Sequence, residues 1–217
     1  MQNRQIIEPK RSIDVIHETD VLVVGSGPGG LSAAIASARC GVKTTLLERF
    51  GCFGGNITVV GVEGFAWYRH EKTVEAGGIG REFEELAKEM GAAVPESQSL
   101  SYELDSEGFK LVADKLVMDS GIHPMLHRSF SMPIMEGNTI IGVIVESKAG
   151  REAILSKVVI DATGDADVAF RAGAQLNTMP VEELMATSVM FHLAGVDKKA
   201  FLSEIQNNPQ SYKDWSD

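Results

Sequence analysis

Residues 21–30 read Val-Leu-Val-Val-Gly-Ser-Gly-Pro-Gly-Gly. The apolar run at the start of this stretch, with no polar alternation, predicts a central strand of a parallel sheet covered on both faces. Gly25, Gly27 and Gly30 match the pattern G-x-G-x-x-G at the turn from this strand into a helix. The first glycine of the pattern permits the tight turn, the second lets a diphosphate approach the backbone, and the third lets helix and strand pack closely. The candidate ligand-binding residues of this loop are Gly25, Ser26, Gly27, Pro28, Gly29 and Gly30.

The residues that follow this loop agree with a dinucleotide site. Residues 31–40 include four alanines, which suits a slim helix lying close to the sheet. Gly41 stands where a helix C-terminus favours a left-handed residue. Residues 42–47 predict a second strand, and Glu48 follows it at about the spacing of the acid that holds an adenosine ribose. A carboxylate there would repel a ribose 2′-phosphate, which disfavours an NADP-type ligand.

A second glycine-rich loop comes directly after this acid. Residues 49–56 read Arg-Phe-Gly-Cys-Phe-Gly-Gly-Asn, where a simple NAD-binding domain would run on into another helix and strand. The loop suggests backbone packed against a long, extended ligand, as FAD would be. Its candidate cofactor-binding residues are Arg49, Gly54, Gly55 and Asn56.

A third motif follows a later strand. Residues 158–160 predict a buried strand, and Ala162, Thr163 and Gly164 form a turn of small residues after it. Ligands of open α/β sheets bind outside the carboxyl ends of strands, so a nearby ligand explains the small residues. We expect the side chain of Asp165 to cap a helix that starts at Ala166, and the residue also remains a cofactor-binding candidate.

These three motifs together resemble the N-terminal part of an FAD-dependent oxidoreductase of the two-dinucleotide-binding-domain class. That class also contains the fumarate reductase and succinate dehydrogenase flavoproteins, and within it the chain is most similar to the broad bacterial FAD-dependent oxidoreductase family. The family's loop ending in Gly-Gly matches residues 52–55, and its Ala-Thr-Gly-Asp motif matches residues 162–165. The resemblance covers roughly residues 20–197. It implies FAD as cofactor and a main-chain contact to adenine near Phe130.

The fold class that we predict is α/β, a Rossmann-like FAD-binding domain with a parallel sheet, a β-meander crossover and a helical insertion. Strand-like runs at 124–130, 139–146 and 152–157 predict the meander. The predicted domains are an N-terminal arm at 1–18, the FAD-binding domain at 19–175 with its insertion at about 60–120, and an incomplete substrate-binding region at 176–217. A further strand is expected at 187–193.

Proteins of the class normally continue to a C-terminal segment that covers the flavin. We therefore expect a fragment, a truncated gene product or one subunit of a split enzyme, with a second chain as one source of the missing part. The isolated chain is then expected to be inactive, since the groups that orient a substrate against the flavin are missing.

Composition excludes several partners. Of the 217 residues, 44 % are apolar and 23 % charged, as in ordinary globular proteins. A net charge of −10 without a basic cluster argues against a nucleic-acid partner. No apolar run is long enough for a membrane span, and no residue set has the spacing of a metal site. Only two cysteines and no signal sequence predict a cytoplasmic protein.

No catalytic residue is assigned. Residues 67–71 read Trp-Tyr-Arg-His-Glu, in which Arg69 could hold a substrate carboxylate and His70 could move a proton, but a solvated loop is the simpler interpretation. Cys52 lacks a cysteine partner at the spacing of a disulfide reductase, so we favour a small buried side chain over a reactive thiol.

The predicted function is an FAD-dependent oxidoreductase, or its cofactor-binding portion, acting on a small organic substrate. One alternative is a non-catalytic FAD-binding subunit or remnant that needs a partner chain. Another is a thiazole-synthase-like enzyme, which shares the fold but binds an NAD-derived ligand. The loop at 52–55 fits the flavoenzymes better.

Overall fold

The computed structural model describes residues 5–65, 69–70, 73–74, 77–96 and 101–211. The chain divides into two compact units, Met1–Leu184 and Met185–Asp217. The strands in the described ranges are β1 (Val15–Val24), β2 (Thr44–Leu47), β3 (Arg69–His70), β4 (Thr73–Val74), β5 (Ala93–Pro95), β6 (Tyr102–Leu104), β7 (His123–Met125), β8 (Ser129–Glu136), β9 (Thr139–Ser147) and β10 (Gly150–Asp161). The α-helices are α1 (Pro28–Arg39), α2 (Ile79–Glu89), α3 (Ser106–Asp119), α4 (Asp167–Arg171) and α5 (Lys198–Asn207).

The first unit is built on a six-stranded sheet with the order β7-β2-β1-β10-β9-β8. The strands β7, β2, β1 and β10 are parallel neighbours, and β8, β9 and β10 form an antiparallel meander. The apolar run at 21–24 lies at the centre of this sheet, as predicted. The α/β fold class with a mostly parallel sheet and a meander crossover is therefore confirmed.

The two faces of the sheet bury separate apolar clusters. On one face, Val23 packs with Leu31 of α1 and Phe109 of α3, and all three side chains are fully buried. On the other face, Leu22 packs with Val168 of α4. Burying a side chain of this size stabilises the fold by about 1.5–3 kcal/mol. Because both faces are covered at the centre of the sheet, residues 21–24 of β1 show no polar alternation.

The region predicted as a helical insertion contains α2, α3 and two small antiparallel hairpins, β3-β4 and β5-β6. Asp105 caps α3 by accepting a hydrogen bond from the backbone N–H of Glu107 at 3.0 Å. Arg39 donates two hydrogen bonds, of 2.8 and 2.6 Å, to Glu82 and so connects α1 to α2. Within the described ranges, the helices lack the length and apolar character that crossing a membrane would require.

Two segments differ from the predicted organisation. Residues 15–18, placed in the N-terminal arm by the sequence, belong to β1, where His17 pairs with Ile154 of β10. In the second unit, α5 is capped by Asp197, which accepts hydrogen bonds from the backbone of Lys199 and Ala200. The strand expected at 187–193 is wrong, because those residues have no regular secondary structure. An apolar run becomes a strand only where a neighbouring strand takes up its backbone hydrogen bonds.

Two histidines stack near the N-terminal ends of β1 and β7. The rings of His17 on β1 and His123 on β7 lie 4.4 Å apart at an angle of 16°. Nε2 of His17 is 2.9 Å from the hydroxyl of Thr45 on the intervening strand β2. Burial, and then the nearby charges of His123 and Lys43, lower the pKa of His17 below its ordinary value of 6.5.

The stability of the fold is expected to decrease as the pH falls below about 6.5. In that range the unfolded chain binds a proton at residue 17 that the folded chain resists, so protons favour unfolding. Urea denaturation at several pH values between 5 and 8 measures this effect. His17→Gln, which keeps a polar side chain beside Thr45, should flatten the pH dependence, and an unchanged slope in that variant would contradict the assignment to His17.

Candidate functional site

Three adjacent strands end side by side at the edge of the sheet. Val24 of β1 is in register with Leu47 of β2 and with Asp161 of β10. The residues that follow are Gly25, Glu48 and Ala162, so the three sequence motifs meet at the carboxyl edge of the sheet, where ligands of open α/β sheets bind. A cleft of about 730 Å³ opens there, which is within the usual size range of ligand pockets.

Most of the sequence-predicted site residues line this cleft. They are Gly25, Ser26, Gly27, Pro28, Gly29, Gly30, Glu48, Arg49, Gly55, Asn56, Phe130, Ala162, Thr163 and Gly164. Two predicted residues, Gly54 and Asp165, are not among the lining residues.

Gly25 and Gly30 are required by the packing of the protein itself. Gly25 has a φ of +98°, and a Cβ on it would lie 2.3 Å from the carbonyl oxygen of Ala162. A Cβ on Gly30 would lie only 1.9 Å from the carbonyl oxygen of Gly25. Any side chain at either position would therefore displace backbone, as the turn and the close helix–strand packing in the motif predict.

Gly27 is different, because neither its backbone conformation nor any neighbouring atom in the described part of the chain requires a glycine there. Its φ of −62° and ψ of 177° suit any residue. Within the described ranges, a Cβ on Gly27 would meet no heavy atom within 4 Å. The residue precedes α1, with Pro28 at the first helical position and no acidic side chain in the first turn. The open space in front of a helix N-terminus fits the close approach of a diphosphate.

The second glycine-rich loop packs directly on the first. The backbone N–H of Gly54 donates to the carbonyl oxygen of Ser26 at 2.9 Å, and a Cβ on Gly55 would lie 2.6 Å from Cα of Gly27. A Cβ on Gly54 would lie 2.5 Å from the side chain of Thr58 in a short π-helix, Asn56–Val60. These contacts explain the absence of side chains at Gly54 and Gly55 by packing within the protein, whereas the sequence suggested packing against a ligand.

Glu48 is almost completely buried, with 6 % of its surface exposed. Its Oε2 accepts hydrogen bonds from the backbone N–H and the hydroxyl of Ser26, at 3.0 and 2.6 Å. Its Oε1 accepts from the backbone N–H of Phe50 at 2.9 Å. The acid predicted for the ribose thus also joins the first glycine-rich loop to the second.

The third motif is organised by Asp161 rather than by Asp165. One oxygen of Asp161 accepts from the hydroxyl and the backbone N–H of Thr163, at 2.7 and 3.2 Å. Its other oxygen accepts from the backbone N–H of Ala169 at 2.9 Å. The hydroxyl oxygen of Thr163 accepts from the backbone N–H of Asp167, also at 2.9 Å. Asp161 and Thr163 therefore satisfy two of the free N–H groups at the start of α4, those of Asp167 and Ala169.

The predicted capping role of Asp165 is wrong. The residue before α4 is Ala166, which has a φ of +57° and makes no side-chain cap. Ala166 has a left-handed backbone conformation. Asp161 and Thr163, which precede it in the chain, accept the hydrogen bonds from the start of α4. Asp165 is exposed, and Asp167 lines the cleft instead.

The cleft is also lined by the cationic and aromatic residues Arg49, Phe50 and Arg128, of which only Arg49 was predicted from the sequence. The Arg49 guanidinium lies 4.7 Å from the centre of the Phe50 ring. The backbone N–H of Arg128 donates to the carbonyl oxygen of Glu48 at 3.0 Å, and Nε of Arg128 donates to Glu152 at 3.2 Å. The lining residues that the sequence analysis missed are Val24, Leu47, Phe50, Val59, Val60, Arg128, Ser129, Asp161, Ala166, Asp167 and Ala169.

A signal for some of these residues was present in the sequence. Met125 of β7 is in register with Leu47 of β2. Residues that follow β7 therefore reach the same edge as Glu48, and Arg128 comes three residues after Met125. Recognising residues 123–125 as a parallel strand would have found it.

The catalytic hypotheses stay untested predictions. For Arg69 and His70 the structure gives only the backbone of β3, while residues 67, 68 and 71 lie outside the described residues. Cys52 is half-buried, with Sγ 3.9 Å from the hydroxyl of Thr58, and it forms no disulfide. Among the described residues no cluster of His, Cys, Asp and Glu side chains could hold a metal ion.

Comparison with protein families identifies the class. Residues 20–216 match the model of the FAD dependent oxidoreductase family. The chain belongs to this family, and its cofactor is FAD.

Curated relatives include thiamine thiazole synthases of archaea. The enzyme of Metallosphaera sedula is 33 % identical over 160 residues, which is 69 % of this chain and 55 % of the relative. The enzyme of Saccharolobus solfataricus is 33 % identical over 162 residues, or 70 % of this chain and 57 % of the relative. The chain thus spans about half the length of the curated relatives it matches.

Solved structures agree on the fold. A geranylgeranyl bacteriochlorophyll reductase-like protein of Thermoplasma acidophilum matches with a TM-score of 0.53 and 20 % identity, over 73 % of this chain and 43 % of that one. THI4 of Thermovibrio ammonificans matches with a TM-score of 0.52 and 22 % identity, over 71 % and 61 % of the two chains.

Proposed function

We propose that the cleft holds FAD and that the protein is an oxidoreductase, or the cofactor-binding portion of one, acting on a small organic molecule. The observation that carries this proposal is the open space at Gly27, a glycine that neither its backbone conformation nor its packing against the described residues requires. FAD supplies the redox chemistry when bound, and the protein supplies binding, orientation and electrostatics.

The diphosphate is assigned to the start of α1. The first backbone N–H groups of a helix lack partners within the helix and carry a partial positive charge. Because the first turn of α1 contains no acidic side chain, this positive end is not neutralised locally. A bulky residue at position 27 would stand between the phosphates and these N–H groups.

The adenosine half is assigned to the end of the cleft where Glu48 and Phe130 lie. Glu48 would accept a hydrogen bond from the ribose, and the main chain of Phe130 would contact adenine. Phe130 lies on β8 in register with Val145 of β9, and the register of this strand pair shifts just after Phe130. Such irregularities leave main-chain groups free of the ladder, which suits contact with a base.

The third motif is assigned to the middle of the cofactor. The Thr163 hydroxyl is already engaged by Asp161 and Asp167. The contribution of residues 162–164 is therefore a close backbone approach, with Asp161 fixing the turn. We also propose a cytoplasmic location, which the free state of Cys40 and Cys52 supports.

A second candidate is a thiazole-synthase-like enzyme with an NAD-derived ligand. The similarity to thiamine thiazole synthases, 33 % over 160 residues, favours it. FAD and NAD share an ADP half, so the start of α1 and Glu48 suit either ligand. Both candidates are enzymes, which the family match supports over a non-catalytic remnant.

The visible absorption spectrum of the purified protein separates the two candidates. A flavin spectrum, with FAD identified by mass spectrometry after release from the protein, supports the oxidoreductase proposal. A colourless protein that releases an NAD-derived adduct supports the thiazole-synthase candidate. A protein that carries neither ligand and binds neither added FAD nor added NAD contradicts the assignment of the cleft.

A further inference from the structure

Ser26 is the one polar side chain of the first glycine-rich loop, and it is fully buried. Its hydroxyl donates to Oε2 of Glu48 at 2.6 Å, and its backbone N–H donates to the same oxygen at 3.0 Å. The side chain of Ser26 is thus directed at Glu48, although the residue lines the cleft. A contribution of this hydroxyl to ligand binding would therefore pass through Glu48.

The hydrogen bonds of Glu48 leave it little free capacity. An ionised carboxylate has about four acceptor directions, two on each oxygen. Both directions of Oε2 are taken by Ser26, and one direction of Oε1 is taken by the backbone N–H of Phe50. One acceptor direction on Oε1 is left for a ligand. Because Glu48 is nearly buried, water does not compete strongly for that direction.

We propose that Ser26 is a positioning residue that holds Glu48 so that Oε1 accepts a hydrogen bond from a single ribose hydroxyl of the adenosine half. The inference rests on the proposed function, since it takes the ligand to be a dinucleotide bound at Glu48. The second ribose hydroxyl gains nothing from Glu48.

The physical reason is preorganisation. With the Ser26 hydroxyl in place, Oε2 is saturated and the carboxylate has one orientation. Without that hydroxyl, Oε2 regains a free acceptor direction, and the carboxylate can rotate or recruit water before the ligand arrives. Binding must then order the carboxylate as well as the ligand, which lowers affinity.

The test is calorimetric titration of the ligand-free chain with ADP, 2′-deoxy-ADP and 3′-deoxy-ADP. ADP reports on the adenosine half and does not depend on the flavin. In the wild-type protein, removing one of the two hydroxyls should weaken binding by about tenfold, as expected for a hydrogen bond to a charged group. Removing the other should change affinity by less than about threefold.

In Ser26→Ala, affinity for ADP should fall several-fold. The tenfold loss of affinity on removing the one ribose hydroxyl should shrink to about threefold or less, because Glu48 is no longer held in one orientation. Ser156→Ala is the matched control. Ser156 is also buried, and its hydroxyl has no hydrogen-bond partner within the described part of the chain. This variant should keep the wild-type discrimination.

Two results overturn the inference. One is a folded Ser26→Ala variant, verified by circular dichroism, with wild-type affinity and discrimination. The other is a wild-type protein in which both hydroxyl deletions cost about tenfold and both costs vanish in Glu48→Gln, since Glu48 would then accept from both. The second result needs no Ser26 variant, so it applies even where Ser26→Ala does not fold. A wild-type chain that binds neither FAD nor ADP would instead refute the proposed function.

Discussion

Replacing Gly27 with valine is expected to abolish FAD binding while the fold survives. A Cβ at this position would meet no heavy atom of the described residues within 4 Å, and the backbone conformation of Gly27 suits any residue, so we expect the fold to survive. The same side chain would occupy the space proposed for the diphosphate and cover the N–H groups at the start of α1. The loss in affinity should be about a hundredfold or more, because several phosphate hydrogen bonds are lost together.

The measurement is FAD affinity by flavin fluorescence titration, with circular dichroism and urea denaturation as checks of the fold. Gly77→Val provides the matched control, since a Cβ there would also meet no heavy atom of the described residues within 4 Å and Gly77 does not line the cleft. This control should bind FAD normally. Full FAD occupancy in folded Gly27→Val would refute the placement of the diphosphate.

Replacing Gly30 with alanine is expected to have the opposite effect and to destabilise the fold itself. A single methyl group would lie 1.9 Å from the carbonyl oxygen of Gly25 and 3.1 Å from Cβ of Ala162. Neither atom can move freely, because the Gly25 oxygen belongs to the backbone and Ala162 directly follows the central strand β10. Helix α1 must shift away from the sheet, at a cost of about 3 kcal/mol or more.

Urea denaturation of Gly30→Ala beside Gly27→Ala measures this difference. Both variants add one methyl group to the same loop, so they have nearly the same effect on the unfolded chain. Gly27→Ala should keep the wild-type midpoint or exceed it, while Gly30→Ala should unfold at much lower urea. Equal midpoints in the two variants would contradict the close helix–strand packing.

The centre of the fold could be predicted because its signals are local. The glycines at 25 and 30 are required by a turn and a close contact between neighbouring elements, and Glu48 directly follows the next strand. Such features depend on the order of residues in one short β-α-β unit. The parallel sheet and the edge that carries the site follow from them, whereas the meander was predicted from its own strand-like runs.

The features that were missed depend on contacts between distant segments. Arg128 reaches the cleft only because β7 pairs with β2, and three-residue strands leave a weak pattern in sequence. The cap of α4 comes from Asp161 because Ala166 adopts a left-handed conformation, which is uncommon for alanine. Gly55 faces Gly27, and no sequence pattern indicates which loops will meet.

The pairing of β1 with β10 has a consequence for synthesis of the protein in the cell. Val24 needs Asp161 beside it, so the central strand cannot complete its hydrogen bonds until the ribosome has released almost the whole first unit. At common translation rates the interval is on the order of ten seconds. During it, the apolar segment at 21–24 lacks one of its two strand neighbours, so an unpaired strand edge stays exposed on the nascent chain.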